Sequence, residues 1–576
     1  MHRRNAVWIL VLVSAACSED RRVGEDASTS DAAAPDMSIA MCEEDALRCR
    51  EGVIEACEGA TWTERERCDE SCESTADGPR CTMSCDACAD GAQECVDAAV
   101  RTCRRADSGC LEWDEAIPCE SGACADASSC AEPVFPPGTL RSGTTFGGGA
   151  LDFPLDVAPA PDGGLVVVGY FEDDIDFGGG TLESEGGRDV FVTRYADDGS
   201  HRWSRSFGAG NDDVAQRATF TDAGELIVAG LLRGPSELGV DDPVEVDGFR
   251  LVPSGEQFFF ARFDDEGTVV AAEVFAARGG ISGIAAAPGG DVLLAGDVRS
   301  VSDFGGGDLA NRGGSSDLFV ARFTRNGNHV WSQRYGSTEM DFGTCVATDA
   351  GGDVFITGVF RRPMNLGGGE LEADGPNHMF LARFRGGGSH VWSVAFDGEG
   401  TIPTGIGIDP SGLITVAGRF IQRAEFGGER FEADGSDDMF LAQYGSDGTH
   451  RWSQRFGGTS PDSANDLTVD PSGSITVVGS FGSNVSSGFN APANFGGAKF
   501  ESDGNSDVFV ARYDAAGRHL WSRHFGGEGA DIAWAVSSDP DGVVAAVGTF
   551  GDELRFGTGS ARATGVTDGF LLRLSP

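Results

Sequence analysis

The stretch His329-Val330-Trp331-Ser332 is one of five copies of a phrase, His-x-Trp-Ser, that returns at His201 with Trp203, His390 with Trp392, His450 with Trp452 and His519 with Trp521. Five of the chain's eight histidines are used in this way. A catalytic centre needs one asymmetric set of groups, whereas a residue type written once per repeat serves architecture.

Outward from the phrase, the repeat fills the chain from about residue 139 to its end. With the aromatic that follows Trp-Ser-x-x as the start, seven units begin at Phe146, Phe207, Phe275, Tyr335, Phe396, Phe456 and Phe525. Each unit contains a turn signal such as Asp409-Pro410-Ser411-Gly412, whose Asp and Gly supply side-chain hydrogen bonding and positive φ. A β-run follows, for example Leu165-Val166-Val167-Val168-Gly169 or Ile475-Thr476-Val477-Val478-Gly479, closed by glycine in all seven units. A glycine fixed at one register of a strand predicts a second backbone too close for a Cβ.

Next comes Phe-Gly-Gly-Gly (Phe177, Phe304) or a relative, then an aromatic run such as Asp189-Val190-Phe191-Val192-Thr193-Arg194-Tyr195. Its period is two, so it is a strand. With an inner strand (Ile532-Ala533-Trp534-Ala535-Val536) and the His-x-Trp-Ser strand, the count is four per unit. No stretch carries a helical period. The fold class predicted is all-β, a seven-bladed β-propeller of four-stranded blades. Unit seven ends at Leu574 without its own Trp-Ser strand, and Leu140-Arg141-Ser142-Gly143-Thr144-Thr145 stands unpaired before unit one. The expectation is that this orphan becomes the outermost strand of blade seven and that the Ile532-type strand lines the central channel.

Phe525-Gly526-Gly527-Glu528-Gly529-Ala530-Asp531, Ser538-Asp539-Pro540-Asp541-Gly542 and Val547-Gly548-Thr549-Phe550, with their counterparts in the other units, resemble the seven-bladed β-propeller repeat proteins of bacterial surfaces. The resemblance implies a fold and an extracytoplasmic life, and no single activity. Unit two departs most, with Val269 and Ala271 in place of His and Trp and an acidic insertion from Glu237 to Asp247.

The N-terminus reads as an export signal over residues 1–16: His2-Arg3-Arg4, an apolar run to Val13, then small residues ending in Cys17. The box resembles a bacterial lipoprotein cleavage site, which makes Cys17 the expected lipidation residue and a lipid the only expected membrane contact; ordinary secretion is the alternative. Residues 17–41 read as a flexible tether. Fourteen of sixteen cysteines then fall between residues 42 and 138, the composition of a disulfide framework in a secreted chain. Cys42, Cys49, Cys57, Cys68, Cys72 and Cys81 run parallel to Cys88, Cys95, Cys103, Cys119, Cys124 and Cys130, leaving Cys85 and Cys110. Trp62 and Trp113 each stand six residues before the matching cysteine. Cys345 lies apart, on an inner strand, and is expected to be a buried, inert thiol.

The balance of 43 basic against 91 acidic residues gives a net charge of −48. Such a surface repels nucleic acid and anionic lipid. It suits divalent cations, and weak calcium sites are the one cofactor reading open, at Asp503 with Asp507 and at Asp434 with Asp438; the competing reading is plain Asp-Gly turns. A second series, Asp152, Asp213, Asp341, Asp462 and Asp531, recurs at the seventh residue of the units, with Ile281 and Ile402 in units three and five. These carboxylates either ring one mouth of the channel as a binding surface or bond their own turns.

The function expected is a non-catalytic, surface-anchored binding lipoprotein, monomeric, offering the propeller to an extracellular protein or glycan. The alternatives are a secreted propeller enzyme, a glycan hydrolase or lyase or a quinone-dependent oxidoreductase, and an envelope-assembly scaffold. An enzyme needs a carboxylate pair, His or Tyr outside the repeat pattern. His378 and His524 are the candidates of that kind.

Overall fold

The computed structural model describes residues 135–576 apart from 236–242, 374–376, 483–491 and 558, and nine short strands between Leu47 and Pro118. The export signal, Cys17 and the tether lie outside the described residues, as does most of the acidic insertion in unit two. The chain divides into two units, Met1–Val134 and Phe135–Pro576. In the first, the duplication read from the cysteines appears in the strand pairing: Cys57 stands opposite Trp62 and Cys103 opposite Trp113. Cys103 is fully buried and disulfide-bonded.

The second unit consists of seven four-stranded antiparallel meanders. Blade 1, for instance, runs outward from Asp152–Pro159 through Leu165–Phe171 and Asp189–Tyr195 to His201–Phe207. The second and third strands of a blade are buried on both faces, as the unbroken buried pattern of Leu165–Phe171 shows. One blade cannot cover itself, so apolar residues meet across each seam. The core accordingly falls into seven clusters, each formed by two neighbouring blades. The cluster holding Val157, Val167 and Phe191 of blade 1 with Ala535, Val547 and Leu571 of blade 7 closes the circle.

The latch is as expected. Leu140–Phe146 pairs antiparallel with Asp568–Leu574 as the outermost strand of blade 7, and Ile532–Ser538 is the innermost. Backbone bonds from Gly138 N–H to the Ser575 carbonyl (3.1 Å) and from Ser575 N–H to the Thr139 carbonyl (2.9 Å) extend it.

The strand glycine has the cause predicted for it. A Cβ on Gly169 would lie 1.9 Å from the Phe153 carbonyl oxygen and 2.9 Å from the Phe191 ring, and Gly479 meets Ser463 and Phe509 at the same distances. The inner strand comes this close because it carries a bulge at one register in every blade, between Pro154 and Asp156 in blade 1 and between Ala464 and Asp466 in blade 6.

That register corrects one reading. Counting from the bulge, the positions equivalent to Asp152 are Gly279 in blade 3 and Thr401 in blade 5, and not Ile281 or Ile402. The connections leading into those two inner strands are shorter, so counting seven residues from the aromatic overshoots.

Candidate functional site

The repeated phrase is resolved into three structural tasks. In His390-Val391-Trp392-Ser393 the imidazole Nε2 lies 3.0 Å from the Ser393 hydroxyl, and the ring sits under the Leu366-Gly367-Gly368 hairpin of its own blade, where a Cβ on Gly368 would stand 2.1 Å from Cε1. Three of the five indoles reach the next blade: Trp203 donates to the Asp265 carbonyl (2.9 Å), Trp331 to the Gly386 carbonyl (2.9 Å) and Trp392 to the Ser446 carbonyl (3.1 Å), whereas Trp452 donates to Gln443 of its own blade. The residue after the serine adds a second bond across the seam, from Gln333 to the Gly388 carbonyl and from Gln454 to the Gly517 carbonyl. The phrase is spent on holding a hairpin to its blade and one blade to the next.

The five aspartates are fully buried. Each accepts a bond from its own turn, four residues back: Asp152 from Gly148 N–H (2.8 Å), Asp213 from Ala209 (2.9 Å), Asp341 from Ser337 (2.5 Å), Asp462 from Gly458 (2.6 Å) and Asp531 from Gly527 (2.8 Å). Each therefore closes its own turn in the connection that leads into its inner strand. A second buried carboxylate stands beside most of them, at the start of the preceding blade's third strand; Gly457 lies between Asp438 and Asp462, where its Cβ would meet them at 2.7 and 2.9 Å. Burial pushes Asp152, Asp462, Asp507 and Asp531 up to about 7, with the neighbouring carboxylate adding to the shift in the first, second and fourth.

Of the neighbouring carboxylates, Asp438 pairs with Arg455 and Asp317 with Arg334 (2.8 Å). Arg194, Arg322 and Arg383 pair with Asp162, Asp291 and Asp353 at the turns on the opposite edge of the blades. The calcium candidates also have other partners: Asp434 and Asp438 share Arg455 at 2.9 and 2.7 Å, Asp503 meets Arg555 at 3.3 Å, and Asp507 accepts the Asp503 N–H at 3.1 Å. Among the described residues no three acidic, His or Cys side chains come together as a metal ligand set. His378 is buried at the start of a third strand beside Phe360, and His524 is exposed, its ring 4.6 Å from that of Phe500.

A different set converges on the axis. The seven inner strands surround a cavity of about 180 Å³. The residue immediately after the bulge is Asp156 in blade 1, Arg217 in blade 2, Cys345 in blade 4 and Asp466 in blade 6, while blades 3, 5 and 7 carry Gly283, Gly405 and Ala535. At this position the residue type changes from blade to blade. The glycines mark tight seams: a Cβ on Gly283 would lie 2.8 Å from Val346 N and one on Gly405 2.6 Å from Leu467 N. The carboxylates bridge two other seams. Asp156 accepts from Val157 (3.0 Å) and from Ala218 of blade 2 (2.8 Å); Asp466 accepts from Leu467 (2.8 Å) and from Val536 of blade 7 (2.9 Å). Arg217 Nε donates to the Ser282 carbonyl at 2.8 Å. Burial, reinforced by Asp156, pushes Asp466 up to about 7, and burial pushes the Cys345 thiol up to about 12. Sequence reading placed Cys345 on an inner strand but missed Asp156, Arg217 and Asp466, although their signal was present as a varying register of a repeating strand.

No family model and no curated protein matches the chain. Among solved structures it is similar to the Pan2 WD40 domain of Neurospora crassa, at 10% identity over 76% of this chain and 98% of that one, TM-score 0.38. It is similar to Sqt1 from Chaetomium thermophilum, at 13% identity over 77% and 100%, TM-score 0.35. A third, XC5397 from Xanthomonas campestris, described as a gluconolactonase, is 12% identical over 62% and 98%, TM-score 0.29. At these values the likenesses carry no argument about activity or partner.

Proposed function

We propose that this chain is a non-catalytic, surface-anchored binding protein that offers its propeller to an extracellular protein or glycan. In this reading a lipid on Cys17 holds it to the bacterial outer membrane, and the cysteine module spaces the propeller from that surface. The observation that carries the reading is a constant frame with unequal connections. The four strands and their seam contacts repeat, whereas the links from second to third strand diverge, from Leu226–Arg233 to Glu256–Phe263 in blade 2, for example, and from Ile475–Phe481 to Asp507–Tyr513 in blade 6. A rigid scaffold with variable loops is the usual way a fold carries recognition.

The enzyme reading rests on one observation, that Asp156 and Asp466 form a carboxylate pair outside the repeat. Their cavity, about 180 Å³, is smaller than the roughly 300–1,000 Å³ of sites for drug-sized molecules. All four of their oxygens already accept backbone N–H groups.

The test is an array of glycans and bacterial-surface proteins probed with the mature protein, with and without calcium. The expected result is a ligand whose binding is lost when the blade 2 link is replaced by that of blade 1. No binding in either condition refutes the reading. Mass spectrometry of the mature N-terminus checks Cys17, and an unmodified terminus beyond it removes the anchor.

A further inference from the structure

Blade 7, the blade that the latch completes, is bounded on both sides by a pair of buried carboxylates. Between blades 6 and 7 the Asp531 N–H donates to the Ser506 carbonyl (2.8 Å), which sets Asp531 beside Asp507. Between blades 7 and 1 the Asp152 N–H donates to the Thr567 carbonyl (3.2 Å), which sets Asp152 beside Asp568. All four are at most 4% exposed.

No arginine bonds any of these four among the described residues. Their donors are Asp503 N–H for Asp507 (3.1 Å), Gly527 N–H for Asp531 (2.8 Å) and Gly148 N–H for Asp152 (2.8 Å). Asp568 accepts from the Thr564 N–H (2.9 Å), the Thr564 hydroxyl (3.0 Å) and the Gly565 N–H (3.2 Å). One oxygen each of Asp152, Asp507 and Asp531 is buried with no partner of hydrogen-bonding geometry, although the Gly551 N–H faces Asp531. A carboxylate only accepts, so two of them side by side strand such oxygens, and one proton turns a stranded acceptor into a donor to its neighbour.

Two of the equivalent pairs carry a cation instead. Asp317, beside Asp341, holds Arg334 at 2.8 Å, and Asp438, beside Asp462, holds Arg455 at 2.7 Å. A fifth pair, Asp189 with Asp213, lies between blades 1 and 2. Around blade 7 the other charges are mostly of the same sign. Asp174 and Glu172 face Asp152; Asp503 faces Asp507, Asp552 faces Asp531, and the exposed Arg555 is bonded to Asp503 and Glu553. Asp152 and Asp531 hold protons to about 7 in the fold and release them near 3.8 when unfolded. Their contribution is therefore complete below 3.8 and is lost as pH rises through 7.

We propose that each seam of blade 7 is closed by one proton held within its carboxyl pair, Asp507 with Asp531 and Asp568 with Asp152, so that alkaline solution loosens the closing blade while the arginine-bearing seams hold. Asp462 also gives up a proton on alkalisation, but its pair keeps Arg455. The device belongs to the frame and not to the outer links, so its failure leaves the proposed function standing.

The test is hydrogen exchange by mass spectrometry on the full-length protein at pH 6 and pH 9, with exchange times scaled for the intrinsic pH dependence of amide exchange. Protection of the inner strands Ile532–Ser538 and Asp152–Pro159 should fall about tenfold or more at pH 9. That of Phe342–Thr348 and Asp462–Val469, behind the arginine-bearing pairs, should fall by less than about threefold. In Asp531→Asn and Asp152→Asn the amide supplies a donor that does not titrate, so each variant should keep its own seam at the pH 6 protection when taken to pH 9. If circular dichroism shows an Asn variant unfolded, the contrast between seams in the wild-type protein decides alone. The proposal is overturned by equal loss of protection at all four inner strands, by no loss at the two strands beside blade 7's pairs, or by folded Asn variants that keep the full pH dependence.

Discussion

Replacing Gly479 by alanine should cost far more than such a substitution usually does. The added methyl would stand 1.9 Å from the Ser463 carbonyl oxygen and 2.9 Å from the Phe509 ring, where ordinary van der Waals contact begins near 3.4 Å. The ring can yield by a few tenths of an ångström, but the carbonyl belongs to the bulged inner strand and can retreat only if the bulge itself moves. Overpacking of a tight core costs about 1–3 kcal/mol. A clash with backbone on one side and an aromatic ring on the other places Gly479→Ala at about 3 kcal/mol. The control is Gly149→Ala, where nothing lies within 4 Å of the new Cβ. There alanine should be neutral or stabilising by up to about 1 kcal/mol, through lost freedom of the unfolded chain. Guanidinium unfolding followed by tryptophan fluorescence, on residues 135–576, gives both values. If Gly479→Ala lies within about 0.5 kcal/mol of wild type, the close approach that explains the glycine in all seven blades is wrong.

Trp331→Ala removes an indole that bonds the Gly386 carbonyl across the seam between blades 3 and 4, and should cost about 2 kcal/mol, less than a fully buried tryptophan because the ring is partly exposed; a cost near zero would reduce the phrase to surface decoration. Stability should also fall as pH rises: Asp462 and Asp531 hold their protons to about pH 7 in the fold but release them near 3.8 when unfolded, so the native state binds more protons between those values. Their contribution is complete below pH 3.8 and is lost as pH passes through 7, and Asp531→Asn should flatten the melting-temperature profile between pH 5 and 8 by an amount of order 1 kcal/mol. An unchanged profile would mean that the buried carboxylates ionise freely. Finally, chelation of calcium should leave the melting temperature of residues 135–576 unchanged, because Arg455 and Arg555 already occupy Asp434, Asp438 and Asp503; a fall of several degrees would restore the metal reading.

Blade number, strand number and latch were legible in the chain because each is a matter of period, and a period survives without knowledge of contacts. The strand glycine was legible for the same reason, since a Cβ excluded seven times leaves a glycine seven times. The equivalents of Asp152 in blades 3 and 5 were not. Shortened connections shift the count, and only the pairing of the inner strand shows that Gly279 and Thr401 are the matching positions. The fate of the five aspartates was open between two readings because composition does not tell a carboxylate that faces solvent from one that closes its own turn. Asp156, Arg217 and Asp466 escaped notice since a search for repeats discards what varies, and their meeting on the axis requires the ring to be assembled first.

Circular closure by the first strand underlies all of this, and hydrogen exchange read by mass spectrometry tests it directly. Amides of Leu140–Phe146 should be protected as strongly as those of Asp568–Leu574, with which they pair. Exchange of the first segment at unfolded-chain rates, while the second stays protected, would show an open ring and contradict the account.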